Sequence, residues 1–292
     1  MILLTGATGT IGTPLLRRLT AAGDPVRCLV REPRRLGPER VRVQIALGDL
    51  ANPASFRNAM RGVDTVVHLA AAIRDQPNGS IEELDAVATL RLVRAAERAG
   101  AKRFLFFSAI GASLHSPARF FRAKALAEEA VQEADLETTI FAPSITYAPG
   151  DPWVTLLDRL SRLPVAPVSG DGDARYQPIW ADDVADCVVA ALRNSNGKAR
   201  YELAGPDELT YDGIVKTALR AFGRRRRLLH IPLPAVRAGL RAAEVFAGPS
   251  VFATWDEAEL MELSMTTPKG TADAESLGVK PLPMAAVLGG RR

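Results

Sequence analysis

The sequence predicts a doubly wound parallel α/β sheet followed by a small, mostly helical C-terminal lobe. Three observations carry that prediction. Short apolar runs of strand length recur through the first half of the chain, helical patterns separate them, and a glycine-spaced loop follows the first run directly. Apolar strands joined through helices imply a parallel sheet covered on both faces.

Met1–Thr5 and Val26–Val30 read as the first two strands, separated by a helix carried on Leu15, Leu16, Leu19 and Ala22. Pro14 falls in the first turn of that helix, where a missing N–H costs little. Val41–Leu47, Thr65–Leu69, Phe104–Phe107 and Thr138–Phe141 read as further strands, with helical stretches near 53–61, 82–99 and 118–134 between them. After Pro143 the texture changes, and Pro149-Gly150-Asp151-Pro152 and Gly170-Asp171-Gly172-Asp173 are rich in turn formers. A helix over 181–193 follows, opened by Asp182 and Asp183, whose carboxylates suit a helix N-terminus. It is expected to pack back on the sheet. The remainder is mostly helical, with short strands near 200–203 and 228–231. The expected division is a main domain of residues 1–143, with 176–195 packed on it, and a smaller substrate lobe of 144–175 and 196–292.

The loop Thr5-Gly6-Ala7-Thr8-Gly9-Thr10-Ile11-Gly12 opens a helix directly after the first strand of a βαβ unit. A dinucleotide's pyrophosphate needs backbone N–H donors at a helix N-terminus, with no Cβ in the way. Gly6 permits the tight turn, Gly9 lets phosphate approach, and Gly12 lets helix and strand pack closely. The spacing is G-x-x-G-x-x-G rather than G-x-G-x-x-G, but its place in the unit is the context the motif requires. The main domain is therefore expected to be of Rossmann type and to bind a dinucleotide. The end of the second strand selects the cofactor, because a carboxylate there accepts bonds from ribose hydroxyls and arginine meets a 2′-phosphate. The sequence reads Leu29-Val30-Arg31-Glu32-Pro33-Arg34-Arg35. Glu32 competes, but Arg31, Arg34 and Arg35 favour NADP(H) over NAD(H).

Composition narrows the remaining classes. The chain has 292 residues, 47% of them hydrophobic and 24% charged, which fits an ordinary globular protein. Its formal charge of +4 equals the contribution of Arg224–Arg227 alone, so no general basic character points to nucleic acid. That run is expected to be a solvated turn. No apolar run reaches the roughly 18 residues needed to span a bilayer, and the start lacks a basic n-region, so a cytoplasmic location is expected. Cys28 and Cys187 lie in apolar segments and read as small core residues. No metal site is expected.

Thr5–Gly12, Gly48-Asp49-Leu50, His68-Leu69-Ala70-Ala71, the Ser108 region and Lys124 together resemble the atypical, extended-like short-chain dehydrogenase/reductases. The resemblance runs from residue 1 to about 231. Phe141-Ala142-Pro143-Ser144 and Gln177-Pro178-Ile179-Trp180-Ala181-Asp182-Asp183-Val184-Ala185 are most similar to the branch of the nucleotide-binding accessory subunit of respiratory complex I and NmrA-like proteins. The resemblance implies that Asp49 and Leu50 border the adenine, that Leu69, Ala70 and Ala71 line the middle of the cofactor, and that Pro143 and Ser144 lie near the nicotinamide. His68, at the end of an apolar strand, is taken as structural.

That family's chemistry uses a serine and a Tyr-x-x-x-Lys, in which the tyrosine exchanges the proton and the lysine lowers its pKa and holds the ribose. Here Phe120-Phe121-Arg122-Ala123-Lys124 places Phe120 at the tyrosine position. Phe107-Ser108-Ala109 offers one serine where relatives often have two, so either Ser108 or Ala109 falls on the catalytic slot. Lys124 is one of only six lysines in the chain, and it lies one turn after Phe120, on the same helix face. It is expected to bind the ribose.

Two readings of function follow. The first is an NADPH-dependent oxidoreductase with altered proton chemistry, in which a quinone-like or flavin-like acceptor draws its proton from water or from Lys124. Tyr147 and Tyr176 are candidate sources of a hydroxyl from another direction. The second is a non-catalytic NADP(H)-binding sensor, scaffold or assembly protein. A sugar-nucleotide epimerase or dehydratase is less expected, because that chemistry leans on the missing tyrosine. Leu233–Val245, with Arg237 and Arg241 spaced by four, fits an amphipathic helix for a protein partner or a peripheral membrane contact, although packing within the lobe is its commoner explanation. The small-molecule substrate follows no motif.

Overall fold

The computed structural model describes residues 1–194, 199–239 and 259–290. Seven parallel strands form the central sheet: β1 (Ile2–Thr5), β2 (Val26–Val30), β3 (Gln44–Leu47), β4 (Thr65–His68), β5 (Arg103–Phe107), β6 (Glu137–Pro143) and β11 (Ala199–Leu203). Their spatial order is β11-β6-β5-β4-β1-β2-β3, so the chain starts at β1 and winds outward in both directions. That reversal opens a crevice at the carboxyl ends of β1 and β4, where doubly wound sheets bind ligands.

The strands are apolar throughout because both faces are covered. On one face, Leu4, Cys28, Val67, Leu105 and Phe141 meet Leu15, Leu16 and Leu19 of α1 (Gly12–Ala21) and Val184, Cys187 and Val188 of α6 (Ala181–Arg193). On the other, Leu3, Val66, Phe104, Phe106 and Ile140 meet Leu92, Val93 and Ala96 of α3 (Ala88–Arg98) and Ala127 and Val131 of α4 (Arg119–Gln132). Successive strand residues thus serve opposite layers. Both cysteines are fully buried, and burial pushes their thiols up to about 12.

Three elements differ from the sequence expectation. The strand expected over Val41–Leu47 is only Gln44–Leu47, because Pro33, Gly37 and Pro38 wind the preceding residues into tight 3₁₀ turns, with Gly37 at φ +61°. The helix expected over 53–61 breaks into α2 (Pro53–Phe56) and a single 3₁₀ turn at Asn58–Met60. The helix expected over 82–99 begins with a π-helical turn, Glu83–Val87, before α3.

A smaller lobe packs Tyr147, Val154, Leu157, Val168, Tyr176, Ile214 and Met284 into a separate core. It comprises β7 (Thr146–Tyr147), α5 (Pro152–Leu160), β8 (Val165–Ser169), β9 (Arg175–Tyr176), β10 (Ile179–Trp180), β12 (Leu209–Thr210), α7 (Tyr211–Ala221) and β13 (Arg227–Ile231). Residues 199–203, expected in this lobe, instead form the edge strand β11, because all five pair in parallel with β6 from Thr139 to Pro143. Helix α8 (Ala272–Ser276) lies against that edge. Arg224–Arg227 is not wholly a solvated turn: Arg224 binds the Asp158 carboxylate at 2.6 Å and Ser161, and Arg226 Nε donates to the Leu163 carbonyl at 2.9 Å. From residue 240 onward, the expected Leu233–Val245 helix, including Arg241, lies outside the described residues.

Candidate cofactor and catalytic site

The glycine loop is set by its own close contacts. Gly6 adopts φ +71°, and a Cβ there would lie 2.6 Å from the Ala70 amide nitrogen at the end of β4. A Cβ on Gly12 would lie 2.1 Å from the Gly6 carbonyl oxygen. The turn is closed by the Gly9 amide donating to the Gly6 carbonyl at 3.0 Å. Only glycines fit at positions 6 and 12, and the loop delivers the N-terminus of α1 to the crevice. A bare backbone cradle at a helix N-terminus is what a pyrophosphate requires.

From this cradle a cavity runs toward the ends of β2 and β3. Of the residues assigned to the cofactor from the sequence, Gly6, Thr8, Arg31, Arg35, Asp49, Leu50, Ala70 and Ala71 line it. Glu32, Gly48, Ala72, Gln76 and Leu84 complete the wall with Thr5, Ala7, Leu29 and Val30. Gly9, Thr10, Ile11 and Gly12 continue the loop into α1 without lining the cavity. Arg34, Leu69, Ser108, Lys124, Pro143 and Ser144 lie outside its wall. The loop between β4 and the π turn reaches across the cavity. Its Gln76 Oε1 accepts from Arg31 Nη1 at 3.2 Å, and its Asn78 Nδ2 donates to Asp49 Oδ2 at 2.6 Å. Its base is pinned by Arg119, which pairs with Asp75 at 2.9 Å and Glu82 at 2.7 Å. Those guanidinium bonds hold the Glu82 carboxyl down at about 2.

Beyond the cavity lies a buried polar chain. Thr5 Oγ1 is 2.7 Å from His68 Nδ1, His68 Nε2 is 3.0 Å from Thr89 Oγ1, and Thr89 donates to the Asp85 carbonyl at 2.5 Å. Burial, with Lys124 nearby, depresses His68 to about 3, so its ring is neutral at physiological pH. His68 is accordingly a hydrogen-bonded spacer between the glycine loop and the helix layer, as expected of a structural residue.

Lys124 is not a surface lysine. It is 2% exposed, and its Nζ donates to Asp85 Oδ1 at 2.8 Å and to the Phe107 carbonyl at 3.0 Å. The ammonium also lies 5.2 Å from the Phe106 ring centre and 5.6 Å from that of Phe120. Ser108, next to Phe107, is buried, and its hydroxyl has no hydrogen-bond partner among the described residues. Asp85 was missed from the sequence. The available signal was an acidic residue on the helix face shared by Ile81, Ala88 and Leu92, but in a run with Glu82 and Glu83 it passes for an ordinary solvated carboxylate.

The far side is closed by a strand-like strap near the C-terminus. Ser144 Oγ donates to the Met265 carbonyl at 2.7 Å and accepts from the Gln177 amide at 3.1 Å, so this hydroxyl is engaged in tethering. Gln177 grips Thr267 at both backbone groups, at 2.7 and 3.3 Å. Leu260, Met261, Leu263 and Met265 then cover Ala109, Ala118, Phe120 and Phe121. Neither tyrosine considered as a hydroxyl source faces the cavity. Tyr147 and Tyr176 sit in the lobe core, where burial raises both phenols, and Tyr176 donates to the Met261 carbonyl at 2.7 Å.

The comparisons with known proteins agree with this architecture. A family model described as NAD(P)H-binding matches residues 6–195. A ceramide reductase of Caulobacter vibrioides is 28% identical over 96% of this chain and 90% of its own length. Subunit 9 of the NADH dehydrogenase [ubiquinone] 1 alpha subcomplex of Arabidopsis thaliana is 31% identical over 80% of this chain, which spans only 60% of that protein. The expected resemblance to the complex I accessory subunit is thereby borne out. Among solved structures, a nucleoside-diphosphate-sugar epimerase from Staphylococcus aureus superposes with a TM-score of 0.79 at 21% identity, covering 99% of both chains. At that identity the likeness speaks for the fold alone.

Proposed function

Because the chain belongs to the NAD(P)H-binding family, we propose that it is an NADPH-dependent oxidoreductase that works without the usual catalytic tyrosine. The observation that carries this reading is Lys124, an amine buried to 2% exposure beside an unpartnered serine hydroxyl and a phenylalanine at the tyrosine position. A buried ion pair adds little or nothing to stability over an apolar packing of the same volume, so its presence favours a role in the site. The residues fit a dinucleotide, since the Gly6–Gly12 backbone would take the pyrophosphate and Arg31 and Arg35 would take a 2′-phosphate. Bound there, NADPH supplies a hydride. This chain's residues would hold the ribose through Lys124 and leave the acceptor to take its proton from solvent or from the lysine. An acceptor that is stabilised by its own conjugation, quinone-like or flavin-like, suits a wall without the tyrosine hydroxyl.

The strap over Phe120 and Phe121 favours a second reading, a non-catalytic NADP(H)-binding protein, since it covers the face an acceptor would approach. A panel of quinones, flavins and carbonyls offered with NADPH and NADH separates the two. The proposal expects NADPH oxidation with at least one quinone or flavin. Tight NADPH binding with no turnover across the panel would turn the reading to the sensor.

A further inference from the structure

Asp85 occupies the π-helical turn Glu83–Val87 and is 1% exposed. Such turns are rare and often mark functional sites, because the extra residue rotates one side chain out of the helical register. Here the Asp85 carboxylate divides its oxygens between two walls of the site. Oδ1 accepts from Lys124 Nζ at 2.8 Å, and Oδ2 accepts from the Ala72 amide at 3.0 Å. Ala72 lines the cofactor cavity and Lys124 does not, so one carboxylate spans the gap between them. The charged and titratable groups facing the ammonium are Asp85 from the π turn and neutral His68 from β4, with the rings of Phe106 and Phe120 closing the rest. An ammonium has three N–H donors, and Asp85 and the Phe107 carbonyl account for two.

We propose that Asp85 is the positioning residue of this site: its carboxylate orients the Lys124 ammonium for the bound dinucleotide and locks that lysine to the Ala70–Ala72 wall. This rests on the reading that the chain binds NADPH. In the absence of a tyrosine hydroxyl at position 120, the lysine's direction is set by the carboxylate.

The test is a double-mutant cycle on NADPH affinity, read by fluorescence titration, with thermal melting of each variant alongside. Asp85→Asn and Lys124→Met are each expected to weaken NADPH binding about tenfold, and the double variant also by about tenfold, because Asp85 acts only through the lysine. Losses that multiply to about a hundredfold would overturn the proposal. So would an Asp85→Asn that melts earlier yet binds NADPH like the wild type. Should Asp85→Asn not fold, Asp85→Glu keeps the charge and moves it by one methylene; it is expected to bind NADPH about tenfold more weakly, and unchanged affinity would overturn the idea. A wild-type protein that binds no NADPH sinks the cofactor reading and this proposal together, whereas wild-type binding with independent losses sinks the proposal alone.

Discussion

Replacing Gly12 by alanine puts a methyl group 2.1 Å from the Gly6 carbonyl oxygen and 2.8 and 2.9 Å from backbone atoms of Ala7. Ordinary contact begins at 3.4 Å, so the oxygen and the methyl must part by about 1.3 Å (from 2.1 to 3.4 Å). Gly6 has little room to supply that movement, since its backbone packs so closely on residue 70 that an added Cβ would lie 2.6 Å from the Ala70 nitrogen. The start of α1 must therefore shift, which breaks the Gly9-to-Gly6 hydrogen bond and turns the loop amides away from the phosphates. Overpacking of this kind costs about 1–3 kcal/mol of stability, which lowers the melting temperature by roughly 2–12 °C. Losing two amide bonds to a charged phosphate, at about 1.5 kcal/mol or more each, weakens NADPH at least about a hundredfold. Gly213→Ala in α7 is the control: its new methyl meets nothing nearer than 3.4 Å, so affinity should hold and stability should rise by about 0.4–1 kcal/mol. Fluorescence titration and thermal melting on both variants read these effects. A Gly12→Ala protein that binds NADPH within about threefold of wild type would refute the placement of the pyrophosphate on this loop.

Arg31→Ala and Arg35→Ala should each weaken NADPH by about ten- to a hundredfold, the worth of a hydrogen bond to a charged group, and leave NADH nearly unchanged; calorimetry showing equal losses for both cofactors would remove the 2′-phosphate assignment. Phe120→Tyr sets a phenol on a ring whose centre lies 5.6 Å from the Lys124 ammonium, and a gain of NADPH-dependent carbonyl reduction is expected, with no gain in a spectrophotometric assay counting against an otherwise intact site. His68 is depressed from 6.5 to about 3, so the unfolded chain takes up its proton first as pH falls. Stability from this group is therefore full above about pH 6.5 and is lost progressively on acidification, by roughly 1 kcal/mol between pH 7 and 5.5. His68→Asn should flatten that slope in denaturant titrations, and an unaltered slope would contradict the neutral, buried imidazole.

Patterns that act over one or two turns were legible in the sequence. The apolar runs located all six strands of the first half, and Asp182 and Asp183 marked the start of α6, because strand burial and helix capping are local demands. The glycine loop was legible because its three glycines answer to one tight turn. What escaped depends on partners far along the chain. Gly37 and Pro38 look like loop formers, but how far they shorten β3 depends on the sheet. The π turn leaves no mark in the periodicity of 82–99, and Asp85, in a run with Glu82 and Glu83, passes for a solvated carboxylate although it shares a helix face with Thr89 and Leu92. The chain from Ala199 to Leu203 could not be assigned to the large sheet, because its ladder is with β6, about sixty residues earlier. Lys124 was legible as unusual, but whether it met solvent, ribose or carboxylate was decided by a residue 39 positions away.

The strap anchored through Ser144 and Gln177 also has a meaning for biosynthesis. Its contacts join residues 121 and 90 positions apart, whereas the glycine loop, β2 and β4 lie within the first 70 residues. On the ribosome, the dinucleotide cradle has its strands long before Met265 and Thr267 leave the exit tunnel. A nascent chain that has released residues 1–130 but not yet 260–267 therefore carries Phe120 and Phe121 without the side chains that cover them, an apolar pair bare until the strap arrives.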